Sequence, residues 1–157
     1  MALGDALAVA LMERRDFKPE DFKVLHPGGN LGLQMLTVSQ LMRNKTEMAI
    51  VKDDLTMSAV VSCMTQSGFG VAILVDENGT LSGIITDGDL RRNINDILSL
   101  SPRDIATLNP TSVQPTDLVS VALEKMEKSK VYAIVVIEHD KPIGLLRMHD
   151  VLRSGIK

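Results

Sequence analysis

One cysteine, one tyrosine, three phenylalanines and no tryptophan leave this 157-residue chain short of the side chains that most often mark redox, metal or stacking sites. A lone Cys63 cannot close an internal disulfide, and no His/Cys spacing suggests zinc, so no metal is expected. No apolar run approaches the ~20 residues that a membrane helix needs, and no signal-peptide pattern opens the chain. Positive charge is nowhere concentrated: at most two Lys/Arg stand side by side, and the formal net charge is −3. A nucleic-acid groove needs a positive field to displace counterions, which argues against that partner. The expected compartment is the cytoplasm, with neither nucleic acid nor membrane as partner.

What the chain does have is aliphatic bulk and an echo. Apolar residues make up 45% of it, nine of them Met, enough for one compact core at this length. The segment Gly83-Ile-Ile-Thr-Asp-Gly-Asp-Leu90 returns, altered, as Gly144-Leu-Leu-Arg-Met-His-Asp-Val151, 61 positions later. Val71 to Asp76 answers Tyr132 to Ile137 in the same way, while Leu55 to Met64 matches Asp117 to Met126 at an offset of 62. The copies are thus expected to differ by one residue between helix and strand. A period near 60 is too long for most solenoids. It suits two copies of a β-α-β-β-α unit, neither large enough to bury a good core alone.

Residues 2–15 read as a helix with Leu3, Leu7, Ala10 and Leu11 at helical spacing. A proline turn follows, and then the glycine-rich loop His26-Pro-Gly-Gly-Asn-Leu-Gly32, which has no partner in the duplication. In copy one the spacing predicts a short helix over 38–42, a strand over 48–51 and a helix over 57–67, capped by Thr56 and stopped by Gly68. Strands over 71–76 and 81–86 flank Asn78-Gly79, a two-residue hairpin signal, and a helix over 87–95 closes the copy. Copy two repeats the order: helix 103–106, strand 111–113, helix 117–129, strands 132–137 and 143–147, helix 148–153. Helix faces carrying Met57, Val60, Leu118 and Val121 are expected to be shared between core and a dimer surface, and Cys63 to pack.

Thr86 ends a strand, so its hydroxyl can donate to a phosphate oxygen. Asp89 falls in the first turn of the next helix on the same side, where its carboxylate can accept from both ribose hydroxyls. A plain helix cap by Thr86 or Asp87 explains the same residues. Copy two places Arg147 where copy one has Thr86 and keeps Asp150 at the Asp89 position. That arginine either clamps a phosphate, fills the cleft with its stem, or pairs with Asp150 and removes the acceptor. Arg91 and Arg92 suit a phosphate or a salt-bridged helix end equally. His149, next to Asp150, points another way and forms no dyad with it.

The strand-turn-Gly-x-apolar-Thr-x-x-Asp-helix pattern over 37–157 resembles the CBS motif, which occurs in tandem pairs. The resemblance implies an α+β fold of two units packed through their sheets, with a cleft that commonly binds adenosine nucleotides. The opening block, Gly4 to Leu11, Asp21-Phe22 and His26 to Gly32, is similar to the end of the sugar isomerase (SIS) domain of KpsF/GutQ-type arabinose 5-phosphate isomerases. In that family it leads into a CBS pair. The resemblance implies a catalytic role for His26 in a full isomerase domain, since imidazole titrates where proton transfer between adjacent carbons needs it. It also implies that roughly 150 to 200 residues of that domain, one ordinary domain's worth, lie upstream of Met1.

The expected organisation is therefore an α/β isomerase remnant over 1–36, one CBS unit over 37–98 and another over 99–157. The chain alone is expected to be inactive, with no cofactor required. Its expected role is regulatory, sensing AMP, ADP, ATP or CMP-Kdo in a cleft built from Thr86, Asp89, Arg147 and Asp150. It would also assemble a homodimer within a tetrameric parent that interconverts ribulose and arabinose 5-phosphates for Kdo synthesis. Two alternatives stand beside this: an assembly module with an empty cleft, and a chain whose His26 enters an active site completed by another chain.

Overall fold

The computed structural model describes residues 35–154, together with Leu11, Glu13 and Arg14, which are helical and exposed. His26, the glycine-rich loop, and most of the expected first helix and isomerase remnant lie outside the described residues.

Helix α1 (Val38–Leu41) leads into the two-residue strand β1 (Arg43–Asn44), a short 3-10 turn and strand β2 (Ala49–Lys52). Helix α2 (Met57–Ser67) starts at Thr56, whose hydroxyl accepts from the Ala59 amide, and stops at Gly68 in the left-handed region, φ 69°. Strands β3 (Val71–Val75) and β4 (Leu81–Thr86) form a hairpin, and helix α3 (Asp87–Arg92) follows. Copy two runs through α4 (Pro102–Ile105), β5 (Thr107–Leu108), β6 (Ser112–Val113), α5 (Val119–Ser129), β7 (Ala133–Glu138), β8 (Lys141–Arg147) and α6 (Met148–Arg153). Helix α3 ends three residues before the expected Asn95, in a run of turns.

Two four-stranded sheets result, ordered β2-β3-β4-β5 and β1-β8-β7-β6. Each is completed by the other copy. Strand β1 pairs antiparallel with β8, and β5 pairs antiparallel with β4. The segment before β1 is clasped to the start of α5, through Val38 N–H to Asp117 O at 2.8 Å and Val119 N–H to Leu36 O at 2.8 Å. The cores follow the same exchange. Val38 is buried among copy-two residues such as Val119, Met126 and Leu146, whereas Ile105 is buried with Met57, Met64 and Ile85 of copy one. A third cluster, Val71, Ile73, Ile84, Val135 and Leu145, lies where the sheets face each other. Strand alternation builds this layering: Ala72 and Leu74 turn to the helices while Val71 and Ile73 turn to the other sheet. Met57 and Val60 are wholly buried, so they belong to the core alone, while Leu118 and Val121 stay partly exposed.

The strand register moves the one-residue offset. Val71 opposes Thr86 and Ala133 opposes Arg147, so β3 and β7 correspond at 62, not 61, while β4 and β8 keep the offset of 61. The missing residue lies in the hairpin turn, not between helix and strand. Copy one has a three-residue turn, Glu77-Asn78-Gly79, with the Asp76 carbonyl accepting from Gly79 N–H at 3.0 Å and Gly79 at φ 78°. Asn78-Gly79 is therefore the second part of a longer turn. Copy two makes the two-residue turn, with His139 and Asp140 both at positive φ, 50° and 62°.

Gly83 and Gly144 sit at matching positions where the exchanged strands cross. A Cβ on Gly144 would fall 2.5 Å from Met42 Sδ and 3.0 Å from the Arg43 carbonyl oxygen, and one on Gly83 would fall 3.2 Å from Ala106 Cβ. The Met42 sulfur can swing aside; the Arg43 backbone cannot. Gly144→Ala is expected to cost about 1–3 kcal/mol in urea unfolding, and Gly83→Ala less. Wild-type stability in the Gly144→Ala variant would show that the exchange does not need this close approach.

Candidate functional site

The end of β4 and the start of α3 bring Thr86, Asp87 and Asp89 to the junction between the copies. Opposite them stand Pro110, Thr111, Lys130, Val131 and Tyr132 of copy two, with Arg147, Met148 and His149 at the β8–α6 turn. Together they line a cleft of about 910 Å³, within the range that holds a small ligand. The equivalent backbone bonds, Asp87 N–H to Gly70 O at 3.0 Å and Met148 N–H to Tyr132 O at 2.8 Å, hold each strand-to-helix turn against its own copy.

The structure brings Thr86, Asp89 and Arg147 to one cleft and leaves Asp150 outside its lining. Thr86 and Asp89 are already engaged with each other. The Thr86 hydroxyl donates to Asp89 Oδ2 at 2.6 Å and the Thr86 amide donates to the same oxygen at 2.8 Å. Asp89 Oδ1 is paired with Arg92, and the residue is 6% exposed. Asp89 thus caps the start of α3 by reaching back to Thr86, the local bond that short polar side chains make at helix starts.

Arg147 adopts the third of its expected arrangements. Its Nε and Nη2 donate to the two carboxylate oxygens of Asp150 at 2.7 and 2.9 Å, and its guanidinium lies over the Phe69 ring, 4.5 Å from the centroid. Arg43, from the exchanged strand β1, adds a bond to Asp150 Oδ1 at 3.1 Å. Asp150 therefore sits between two guanidiniums, which hold its carboxyl well below the usual range, at about 2, against the opposing effect of burial. It is an internal counter-ion that ties β1 and β8 together. Its oxygens are spent.

Charge in the rest of the cleft is uneven. Arg91, Arg92, Lys130 and Arg147 line it against Asp87 and Asp89, four cations to two carboxylates in a chain whose net charge is −3. With Arg92 on Asp89 and Arg147 on Asp150, no described residue partners the side chains of Arg91, Lys130 and Asp87. Tyr132, the chain's single tyrosine, is 82% exposed at the cleft and takes the place that Gly70 holds in copy one. Sequence reasoning passed over Tyr132, Lys130 and Phe69, because the 61-residue alignment hid the Gly70/Tyr132 correspondence.

A smaller cavity of about 460 Å³ lies beside copy one's β2 and α2, lined by Glu47, Met48, Cys63, Gln66 and Phe69. Among the described residues, no group of His, Cys, Asp and Glu could hold a metal ion. No described helix is long and apolar enough to cross a membrane.

The profile of the CBS domain family matches residues 38–96 and 103–157. The arabinose 5-phosphate isomerase KdsD of Pseudomonas aeruginosa is 39% identical over 99% of the chain and 49% of its own length. KdsD of Escherichia coli K12 is 37% identical with the same coverage. The chain spans about half the length of the curated relatives it matches. Among solved structures, CBSX2 in complex with AMP superposes with a TM-score of 0.67 at 22% identity, covering 76% of this chain and 95% of that one. That likeness shows the fold.

The Asp150 cluster carries a stability signature. Because its folded pKa is depressed, its contribution is fully present above the unfolded value near 4 and is lost as pH falls toward 2. Asp150→Asn leaves Arg43 and Arg147 without their shared carboxylate and is expected to cost about 1–3 kcal/mol at pH 7. The gap to wild type should narrow as pH drops from 4 to 2 in denaturant titrations. A gap that stays constant down to pH 2 would remove Asp150 from the stabilising cluster.

Proposed function

Because the chain belongs to the CBS-domain family and carries two copies of the domain, we propose that it is a ligand-sensing module of an arabinose 5-phosphate isomerase. The ligand is an adenosine nucleotide held at the Thr86 end of the cleft. The isomerase context rests on the KdsD relatives, 36–39% identical across nearly the whole chain. AMP is the first ligand to test, since CBSX2 and the Pyrobaculum aerophilum CBS protein are described in complex with it.

One observation on this chain carries the proposal: an acidic protein concentrates two cations that no described residue partners, Arg91 and Lys130, on a cleft that also exposes an aromatic ring. Cations held in a concave, partly apolar site attract an anionic ligand. The exposed Tyr132 ring offers a base a stacking surface. The matching position in copy two is closed off. Arg147 and Arg43 neutralise Asp150, and the Arg147 guanidinium covers Phe69. The two halves of the duplication are thus unequal, and one nucleotide per chain is the expected stoichiometry. Isomerisation is not expected of this chain alone, which spans about half the length of its KdsD relatives. His26 contributes to it only within a complete isomerase domain.

Thermal melts with AMP, ADP, ATP and CMP-Kdo test the reading. AMP at 100 times its Kd should stabilise the fold by about 2.7 kcal/mol, or roughly 5 °C or more in Tm for a chain of this size. Calorimetry should return one site per chain. If no adenosine nucleotide moves the melt while CMP-Kdo does, the ligand class is wrong. If none of the four moves it, the assembly-module reading takes over, and the part-exposed Leu118 and Val121 become the surface to probe by light scattering.

A further inference from the structure

Of the chain's asparagines, only Asn78 is followed by a glycine. The pair stands at the tip of the β3–β4 hairpin, at the opposite end of both strands from the Thr86 turn. Asn78 is exposed, and a Cβ added at Gly79 would meet nothing within 4 Å. Water therefore reaches the step, and glycine carries no side chain to shield its own nitrogen. An asparagine so placed can cyclise. The Gly79 nitrogen attacks the Asn78 side-chain carbonyl carbon, a new C–N bond forms, and the Cγ–Nδ2 bond breaks. The Gly79 proton leaves with the amide nitrogen as ammonia. Water then opens the five-membered imide at either carbonyl, leaving an aspartyl or an isoaspartyl residue. Nothing is oxidised or reduced, and water is the only co-reactant.

Four hydrogen bonds stand against that closure, and all four involve Asp76. Its carbonyl accepts from Gly79 N–H at 3.0 Å, and its own N–H donates to the Thr80 carbonyl at 3.0 Å. Its carboxylate oxygen Oδ1 accepts from the Asn78 amide at 2.9 Å and from the Thr80 amide at 2.8 Å. These bonds, that of Thr80 foremost, hold the Asp76 carboxyl below its usual range. The attacking nitrogen is thus tied through its proton to a carbonyl, and the residues on either side of it are fixed by one carboxylate oxygen. Gly79 sits at φ 78°, and bringing its nitrogen to Asn78 Cγ means turning the peptide plane between them against these bonds. Copy two has no equivalent, because its turn is His139-Asp140, without asparagine or glycine.

We propose that Asn78 is a site of spontaneous deamidation and that Asp76 is the positioning residue that slows it in the folded chain. The consequence reaches beyond the turn. The aspartyl product adds a carboxylate beside Asp76 and Glu77, and the isoaspartyl product lengthens the backbone of the turn by a methylene. Leu81, two residues past Gly79, donates its amide to the Asp140 carbonyl of the other copy's hairpin at 2.9 Å. A lengthened turn pulls on that bond, so chemistry at Asn78 acts on the contact between the two hairpin tips. The assignment is independent of any ligand in the cleft.

Incubation at mildly alkaline pH, followed by mass spectrometry with fragment-ion mapping of each asparagine, tests it on wild type, wild type in urea, and Asp76→Ala. In urea, Asn78 is expected to convert before every other asparagine. Folded wild type should convert about tenfold more slowly than the same chain in urea, the factor that one or two hydrogen bonds are worth in rate. Asp76→Ala, kept below its melting temperature, should recover most of that factor. If Asp76→Ala does not fold, Asp76→Asn takes its place; it keeps only a neutral acceptor and should convert a few-fold faster than wild type. Equal rates for folded and urea-unfolded wild type overturn the proposal, as does a folded replacement at position 76 that converts at the wild-type rate. Absence of conversion at Asn78 in urea removes the site altogether.

Discussion

Each sheet borrows its outer strand from the other copy, and the rest of the molecule depends on that loan. A unit of some 60 residues buries too little surface to be secure alone. Here neither unit has to be alone: β1 finishes the second sheet, β5 finishes the first, and Val38 and Ile105 carry apolar bulk across with them. The exchange also draws the Thr86 and Arg147 turns to one junction, because each sheet's inner face must meet the other's over Val71, Ile73, Ile84, Val135 and Leu145. The cleft is what remains where that contact ends. Folding and the shape of the cleft are therefore set by the same geometry.

The electrostatics of the exchange reinforce it. Arg43 sits on the borrowed strand, Asp150 on the last helix, and Arg147 at the end of β8, so one carboxylate fastens three elements from both copies. Surface ion pairs contribute little on average, but this carboxylate is 9% exposed and accepts three bonds. Breaking one side of such a cluster leaves an uncompensated charge in a poorly solvated place. Copy one has no counterpart. At its matching turn, Asp89 pairs with Thr86 and Arg92 inside one short helix, without any contribution from the borrowed strand.

Most of the fold was legible in the sequence because it rests on local signals. The Thr56 cap and Gly68 stop bound α2 where expected, and the unbroken apolar run of β3 matched a strand buried throughout. The duplication pointed to two similar sheets. What stayed hidden was non-local. Two-residue strands such as β1 and β5 have no periodicity to detect, and which sheet they join is decided by the other copy. The turns misled for a related reason. Asn78-Gly79 is the usual mark of a two-residue loop, yet that loop formed at His139-Asp140, where the shorter connection forces two residues without a glycine into positive φ. Of the candidate site, Thr86, Asp89 and Arg147 were placed together as the spacing implied, but their mutual bonds are a matter of rotamers that spacing does not encode.

The copies differ in chemistry where they face the cleft. Core positions exchange one aliphatic residue for another, Ile85 for Leu146 and Ile73 for Val135, and their burial is unchanged. At the cleft the exchanges alter chemistry: Gly70 for Tyr132, Thr86 for Arg147, Asp87 for Met148 and Gly88 for His149. An apolar core tolerates volume-conserving swaps in both copies equally, so it leaves the duplication symmetric. A cleft shared by two copies has no such restraint. Once Arg147 paired with Asp150 in one half, the acceptor in that half was spent, while Asp87 over Gly70 kept the other half open. An aromatic ring, with cations and a carboxylate that no described residue partners, on one shared cleft defines a polarised site, and polarity of that kind cannot arise from two identical halves.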